Sequence, residues 1–166
     1  MKKTVSLLAL FLVLHIAAAA QAEWKSLGGV GRDVAVSGGV STAWTIGSDQ
    51  GIYYHSGGGW QQYPGGGRGY AIAVSSNGTP FVIGLDNGIY KGTGNGWVEL
   101  PGGGKGKDIA VDGRGNAWVI GMDGAIYSHN GFIWSILPGG GLGHRITVSH
   151  TGVPLVIGLD SAIWRY

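Results

Sequence analysis

Cysteine is absent from all 166 residues of this sequence. The chain therefore has no disulfide, no thiol nucleophile and no thiolate ligand for a metal. Charge is also scarce, since only 12% of the residues are Asp, Glu, Lys or Arg. The net charge of +2 comes from Lys2 and Lys3, and the rest of the chain holds nine basic and nine acidic residues. That balance lacks the basic footprint of a nucleic-acid-binding protein.

Long hydrophobic runs are missing too, apart from a short one near the N-terminus. Residues 7–14 are apolar, follow Lys2 and Lys3, and precede the small-residue signal Ala20-Gln21-Ala22. These features predict a secretory signal peptide over residues 1–22, because the run is shorter than the roughly 20 residues that span a bilayer. We therefore expect a secreted or periplasmic protein with no membrane span in the mature chain.

Glycine, by contrast, is abundant, and all 35 glycines lie after residue 22. They recur at fixed places in a repeat that opens on a tryptophan, at intervals of 36, 37 and 37 residues: Trp24, Trp60, Trp97 and Trp134. This regularity excludes low-complexity disorder. It predicts one domain over residues 23–166, with repeats at 24–59, 60–96, 97–133 and 134–166.

Each repeat contains four short runs of Val, Ile, Trp and Tyr, bounded by Gly, Pro, Asn and Asp. These are strand and turn signals, and no segment after residue 22 has a sustained helical period. Four strands per repeat predict an all-β propeller of four blades, each with four antiparallel strands. The last repeat lacks an outer strand, so we expect residues 23–27 to pair with the last blade and close the ring.

The repeat resembles the tectonin-type β-propeller repeat of the tachylectin-1-like and tectonin lectins. The third repeat carries the match: Trp97-Val-Glu-Leu-Pro-Gly, then Asp-Ile-Ala-Val, then Trp-Val-Ile-Gly-x-Asp-Gly-x-Ile-Tyr ending at Tyr127. The resemblance implies a propeller that recognises sugars, including lipopolysaccharide and methylated glycans, without catalysis. Propellers of this family usually have six blades. Four repeats therefore imply a tight ring, assembly from more than one chain, or a truncated sequence, and the predicted closing strand favours the ring.

The candidate ligand-binding residues lie at positions where the surrounding motif recurs in every repeat but the residue type differs between repeats. The glycine-rich loops do this, because glycine lets a ligand approach the backbone and the varying residues supply hydrogen-bond donors and one aromatic face. These residues are Arg32, Arg68, Tyr70, Lys105, Lys107, His144 and Arg145. The alternative interpretation is a solvated loop. The repeat tryptophans Trp60, Trp97 and Trp134 could line grooves between blades, although packing is their simpler role.

Residues that recur in every repeat are expected to be structural. Asp49, Asp86, Asp123 and Asp160 follow Ile-Gly-x, a position that favours a tight turn. Two histidines at equivalent places, His55 and His129, are expected at the surface. No set of residues indicates a metal or another cofactor.

These patterns predict a secreted multivalent carbohydrate-binding protein, with glycans or lipopolysaccharide as partners and a homo-oligomer as a possible state. The alternative is a protein-interaction module of the cell envelope. An enzyme is not expected, because glycoside chemistry needs two paired carboxylates. The acids that break the repeat pattern, Asp33, Glu99, Asp108 and Asp112, are not paired by the sequence.

Overall fold

A computed structural model describes residues 24–38 and 42–166. These residues form fifteen strands in four antiparallel sheets and no helix. The sheets follow one another, each packed on the one before it, as the four blades of a β-propeller, which confirms the predicted fold class. The predicted signal peptide at residues 1–22 lies outside the described residues.

The strands of each blade run in chain order from the axis outwards. Blade 1 comprises β1 (Gly31–Val36), β2 (Ala43–Gly47), β3 (Ile52–His55) and β4 (Trp60–Gln62); blade 2 comprises β5 (Gly69–Val74), β6 (Pro80–Gly84), β7 (Ile89–Gly92) and β8 (Trp97–Glu99). Blade 3 comprises β9 (Gly106–Val111), β10 (Ala117–Gly121), β11 (Ile126–His129) and β12 (Trp134–Ile136). Blade 4 has three strands, β13 (Gly143–Val148), β14 (Pro154–Gly158) and β15 (Ile163–Arg165).

The recurring aspartates form the turns between the second and third strands, as the sequence predicts. Asp86 Oδ1 accepts a hydrogen bond from the Gly88 backbone N–H at 2.9 Å, and Asp123 Oδ1 accepts one from Ala125 at 3.0 Å. The residue after each aspartate has a positive φ, for example 65° at Asn87. The carboxylate therefore fixes a left-handed turn that few residue types adopt.

The core consists of contacts between the faces of neighbouring blades. In blades 2, 3 and 4, one isoleucine of the inner strand is buried against the preceding blade: Ile72 against blade 1, Ile109 against blade 2 and Ile146 against blade 3. The receiving faces carry one large residue on the second strand, such as Trp44 in blade 1 and Phe81 in blade 2. Burial of these apolar faces is the main stabilising contribution that such small sheets have.

The predicted closing strand is not present. Residues 24–27 belong to no strand, the last blade ends at β15, and Trp24 is fully exposed; residue 23 lies outside the described residues. Pairing at this place requires blade 1 to lie beside blade 4. Among the described residues, however, β1 and β13 do not pack as the other inner strands do. The ring is therefore open between the last and the first blade.

The expectation for one of the two histidines is wrong. His129 is only 1% exposed, and its ring packs against Trp134 with 4.7 Å between centroids. Its Nδ1 accepts a hydrogen bond from the Gly131 N–H, so Nε2 carries the proton and donates to the Pro101 carbonyl oxygen at 3.2 Å. Both ring nitrogens are satisfied only in the neutral form, which explains why a histidine is buried here.

Substituting Gly121 by alanine should destabilise the protein by about 1–3 kcal/mol, because a Cβ there would lie 2.5 Å from Asp123 Oδ1 and 2.8 Å from the Tyr127 ring. The matched control is Gly96→Ala, where a Cβ meets nothing within 4 Å and should change stability by less than about 0.5 kcal/mol. Urea unfolding monitored by tryptophan fluorescence measures both. Equal effects would contradict the described packing of the tyrosine.

Stability should fall as the pH drops below about 6.5, the ordinary pKa of histidine. Burial lowers the pKa of His129, so the unfolded chain binds its proton more readily than the folded protein does. The stabilisation is thus present above that pH and is lost below it. Melting temperatures measured from pH 7.5 to pH 5.5 test this. His129→Gln should flatten the profile, and a profile that does not respond to His129→Gln contradicts the prediction.

Candidate functional site

The glycine-rich loops gather at one end of the propeller, as the sequence predicts. Isolated bridges join Gly51 to Arg68, Gly88 to Lys105 and Ala125 to Leu142. Each bridge holds a loop against the aspartate turn of the preceding blade. We call this end, formed by residues 28–32, 65–70, 102–107 and 139–145, the loop end.

The predicted basic residues hold three stations of the repeat at the loop end and differ in how they are engaged. Arg32, Arg68, Lys107 and His144 are exposed. Lys105 Nζ lies 3.3 Å from Asp86 Oδ2 and 3.9 Å from Glu99 Oε1, so it is partly neutralised. Arg145 lies 3.6 Å from Asp108. The loop end therefore carries several cations, without a cavity that brings them all together.

The predicted aromatic residues at this end serve the frame. Tyr70 donates from its hydroxyl to the Gly106 carbonyl oxygen at 2.6 Å. The indole N–H of Trp60 donates to the Gly28 carbonyl oxygen, and that of Trp97 to Gly66, both at 2.8 Å. Each of these two tryptophans thereby fixes the glycine-rich loop that leads into its own blade. The indole N–H of Trp134 is buried with no hydrogen-bond partner among the described residues.

The tyrosines at the second position of the third strands are bound to the turn aspartates. The hydroxyls of Tyr53, Tyr90 and Tyr127 donate to aspartate Oδ2 atoms at 2.7, 2.9 and 2.8 Å. The Tyr127 hydroxyl is the largest cause that lowers the pKa of Asp123, and the same bond raises the pKa of the tyrosine. These pairs repeat in three blades, so they are parts of the frame.

The four acids that break the repeat are also engaged in structural bonds. Asp33 and Asp108 each accept a hydrogen bond from the inner strand of the next blade, at Ile72 N (2.8 Å) and Ile146 N (2.7 Å). Burial raises the pKa of Asp108, and the charge of Asp33 adds to this increase. Glu99 faces Lys105, and Asp112 accepts bonds from the turn that it begins.

A second site lies at the opposite end of the propeller, between blades 1 and 2. Its wall is an aromatic cluster in which the Trp44 ring lies 5.3 Å from Tyr54 and 5.5 Å from Tyr63, centroid to centroid. Two turns of blade 2 complete a pocket with Asn77 and Thr93 at its edge, and Lys91 lies beside them. We call this the aromatic pocket.

The polar groups of the aromatic pocket leave hydrogen-bonding capacity unused. The indole N–H of Trp44 is buried with no partner in the described part of the chain. The Tyr63 hydroxyl accepts a bond from Gly94 N at 2.7 Å, which leaves its own proton free to donate. Asn77 Oδ1 accepts from Ser75 and Thr79. A buried donor without a partner is rare in native proteins, and here it lies in a pocket that holds other polar groups.

Sequence reasoning missed the aromatic pocket, although the repeat carries its signal. Tyr54 stands where the other blades have Lys91, Ser128 and Arg165. Tyr63 stands where blades 2 and 3 have leucine. At both positions the surrounding motif recurs in the other blades while the residue type differs. The glycine-rich loops were chosen by the same criterion.

Neither a metal site nor a membrane span is found within residues 24–38 and 42–166. No three His, Asp or Glu side chains of these residues lie close enough together to hold an ion. No helix among them is long and apolar enough to cross a bilayer.

Several solved structures share the fold. The chain is similar to Kuenenia stuttgartiensis hydrazine synthase, with a TM-score of 0.58 and 15% identity over 86% of this chain and 46% of that one. It is similar to YCF48 bound to D1 peptide (0.56, 18%, covering 83% and 52%) and to streptogramin B lyase (0.52, 20%, covering 80% and 53%).

At these identities the likeness shows the fold alone, and the chain spans about half the length of each of these structures. No protein-family model matches the sequence, and neither does any curated protein. The β-propeller is therefore established, and the finer tectonin-type assignment rests on the sequence motifs.

Replacing Trp97 by phenylalanine should cost about 1 kcal/mol more than the same replacement at Trp134, because only Trp97 loses an indole hydrogen bond. Both rings occupy the same station, so the loss of ring area is matched. Chemical unfolding of the two variants measures the difference. A larger loss for Trp134→Phe would contradict the described hydrogen bonds.

Proposed function

We propose that this protein binds carbohydrate, with the aromatic pocket between blades 1 and 2 as the principal site. The observation that carries the proposal is the cluster of Trp44, Tyr54 and Tyr63 beside polar groups with unused hydrogen-bonding capacity. No other pair of neighbouring blades among the described residues has three aromatic rings in this arrangement.

A sugar matches such a pocket because it has apolar C–H faces and a rim of hydroxyl groups. The partly exposed ring of Tyr54 provides a flat apolar surface, and it packs against the Trp44 ring, which is buried as Tyr63 is. The amide of Asn77 and the hydroxyl of Thr93 can donate hydrogen bonds to sugar hydroxyl groups and accept hydrogen bonds from them. The ammonium group of Lys91 can pair with the negative charge of an acidic or phosphorylated glycan. A mostly apolar pocket with a few convergent polar groups is the usual form of a small-ligand site.

The loop end supports a second, weaker contact with anionic glycans such as lipopolysaccharide. Arg32, Arg68 and Lys107 project from neighbouring loops of one rigid frame. Contacts repeated on one frame raise avidity when the target surface is itself repetitive. The signal peptide predicted over residues 1–22 agrees with a secreted or periplasmic protein that meets such surfaces.

A protein-interaction module is the second candidate function. It is favoured by one comparison, in which a similar propeller, YCF48, is bound to a peptide. A peptide with an aromatic or proline side chain would fit the same aromatic pocket. Catalysis is not proposed for this chain, because each of the acids that break the repeat is engaged in a structural bond.

The protein should bind a subset of sugars on a glycan array, and free sugar should compete. Tyr54→Ser should lower the affinity about tenfold, because stacking area worth about 1.4 kcal/mol is lost. Serine occupies the same station in blade 3, so the frame is preserved. Tyr63→Leu, which introduces the leucine that blades 2 and 3 have at this station, should also weaken binding, because it removes a hydroxyl that can donate to the sugar. Titration by tryptophan fluorescence measures both variants.

The matched control is Arg68→Leu at the loop end. It introduces leucine, the residue that blade 4 has at the same station, Leu142. It should leave the affinity for neutral sugars unchanged. If Arg68→Leu abolishes binding and Tyr54→Ser does not, the loop end is the site and the assignment to the aromatic pocket fails. If no glycan binds at high protein concentration and a peptide does, the second candidate function replaces the first.

A further inference from the structure

The first and last blades each expose a face that is buried elsewhere in the ring. Val34 of β1 is 71% exposed, whereas the residues at its station in the other inner strands are 5–8% exposed: Ile72, Ile109 and Ile146. Val36, on the same face of β1, is also exposed. The face of blade 1 that corresponds to the inter-blade contact is thus uncovered.

The opposite face is uncovered in blade 4. Ile163 of β15 is 76% exposed, while Ile52 and Ile89 at the same station are 1% exposed. Leu155 and Ile157 of β14 are exposed too, whereas the matching residues of blade 2, Phe81 and Ile83, are buried. Blade 4 therefore presents the face that receives a following blade, and blade 1 presents the face that docks on a preceding one.

The groove between blades 3 and 4 also lacks a part that the other grooves have. In the groove between blades 1 and 2, Trp97 of the outer strand fills the space above the glycine-rich loop. The groove between blades 3 and 4 is lined by residues 139–141, Leu142 and Trp164. Among the described residues, blade 4 has no fourth strand whose tryptophan could enter this groove. Trp24, the first tryptophan of the repeat series, packs into no groove between the described blades and is fully exposed.

We propose that two copies of this chain dock head to tail, so that blade 4 of each receives blade 1 of the other. The two contacts close a ring of eight blades, four from each chain. Residues 24–27 of one chain then form the fourth strand of the other chain's blade 4. Trp24 fills the groove there and donates its indole N–H to the Gly140 carbonyl oxygen, as Trp97 does to Gly66.

A second copy fits better than the chain's own first blade. Residues 28–30 join Leu27 to β1 and span at most about 14 Å from Leu27 to Gly31. Residues 24–27 can reach blade 4 only if the blade that follows them lies beside it. The chain's own blade 1 does not pack there, and a second copy supplies the same surface. Two copies together also have about the length of one of the similar solved structures.

Charge complementarity supports the same contact. Arg145 lies on the exposed face of blade 4, 3.6 Å from Asp108 of blade 3. Asp33 holds in blade 1 the station that Asp108 holds in blade 3, and both bind the next inner strand in the same way. Docking of a second copy would bring its Asp33 to the free side of Arg145, so that the cation is shared by two carboxylates.

The mass of the purified protein in solution tests the proposal directly. The full chain is expressed, and the protein is purified with the N-terminus that the cell leaves. Light scattering should give the mass of two chains, with dissociation on dilution. Val34→Glu should shift the protein to one chain at the same concentration, because it places a charge in the contact. The matched control Val98→Glu, on an exposed outer strand, should remain a dimer.

Because the chain contains no cysteine, an introduced pair reports which blades meet. Thr147 and Val34 hold the stations of Ala110 and Ile146, which pack together between blades 3 and 4. The variant Val34→Cys with Thr147→Cys should form a disulfide-linked dimer under oxidising conditions, seen on a non-reducing gel. The pair Val98→Cys with Thr147→Cys should not.

Three outcomes would overturn the proposal. A monomer with an internal disulfide means that the chain's own blades 1 and 4 meet and close the ring. A monomer without a disulfide means that the two faces stay uncovered. A ladder of higher masses means that head-to-tail contacts continue without closing. If Val34→Glu unfolds, as judged by circular dichroism, the disulfide experiment still decides.

Discussion

The structure depends on one contact that is repeated from blade to blade: in blades 2, 3 and 4, an isoleucine on the inner strand is buried against the second and third strands of the preceding blade. A four-stranded sheet of three- to six-residue strands has too little core of its own, and no disulfide compensates for it. Stability therefore comes from the stacking of neighbours, as in other repeat proteins. A blade at the end of such an array leaves its face in water unless another blade covers it.

The same constraint explains where a binding site can form. The tryptophans, tyrosines and aspartates at the loop end hold turns and loops in place, so they are occupied by the frame. Variation is tolerated only where the inter-blade contact does not need a particular side chain. Blade 1 uses this freedom at Tyr54 and Tyr63, and the result is an aromatic pocket that the other pairs of blades lack.

The repeat made much of the fold predictable, because its four strand signals and its aspartate turns depend on local chemistry. The clustering of the glycine-rich loops at one end follows from the alternation of strand direction and could be predicted as well. The position of residues 23–27, the expected closing strand, could not be predicted from the sequence, because it depends on whether blade 1 packs against blade 4. The burial of His129 was also hidden, because the Pro101 carbonyl oxygen that binds its Nε2 belongs to a distant segment whose approach the sequence does not reveal.

Hydrogen–deuterium exchange at increasing protein concentration tests most directly whether one inter-blade contact governs the whole ring. Local exposure of a strand sets how fast its backbone amides exchange. If every blade is covered in solution, amides of β1 and β15 should become as protected at high concentration as those of β5 and β9, and should lose that protection on dilution. Rapid exchange in β1 and β15 at every concentration would contradict the account.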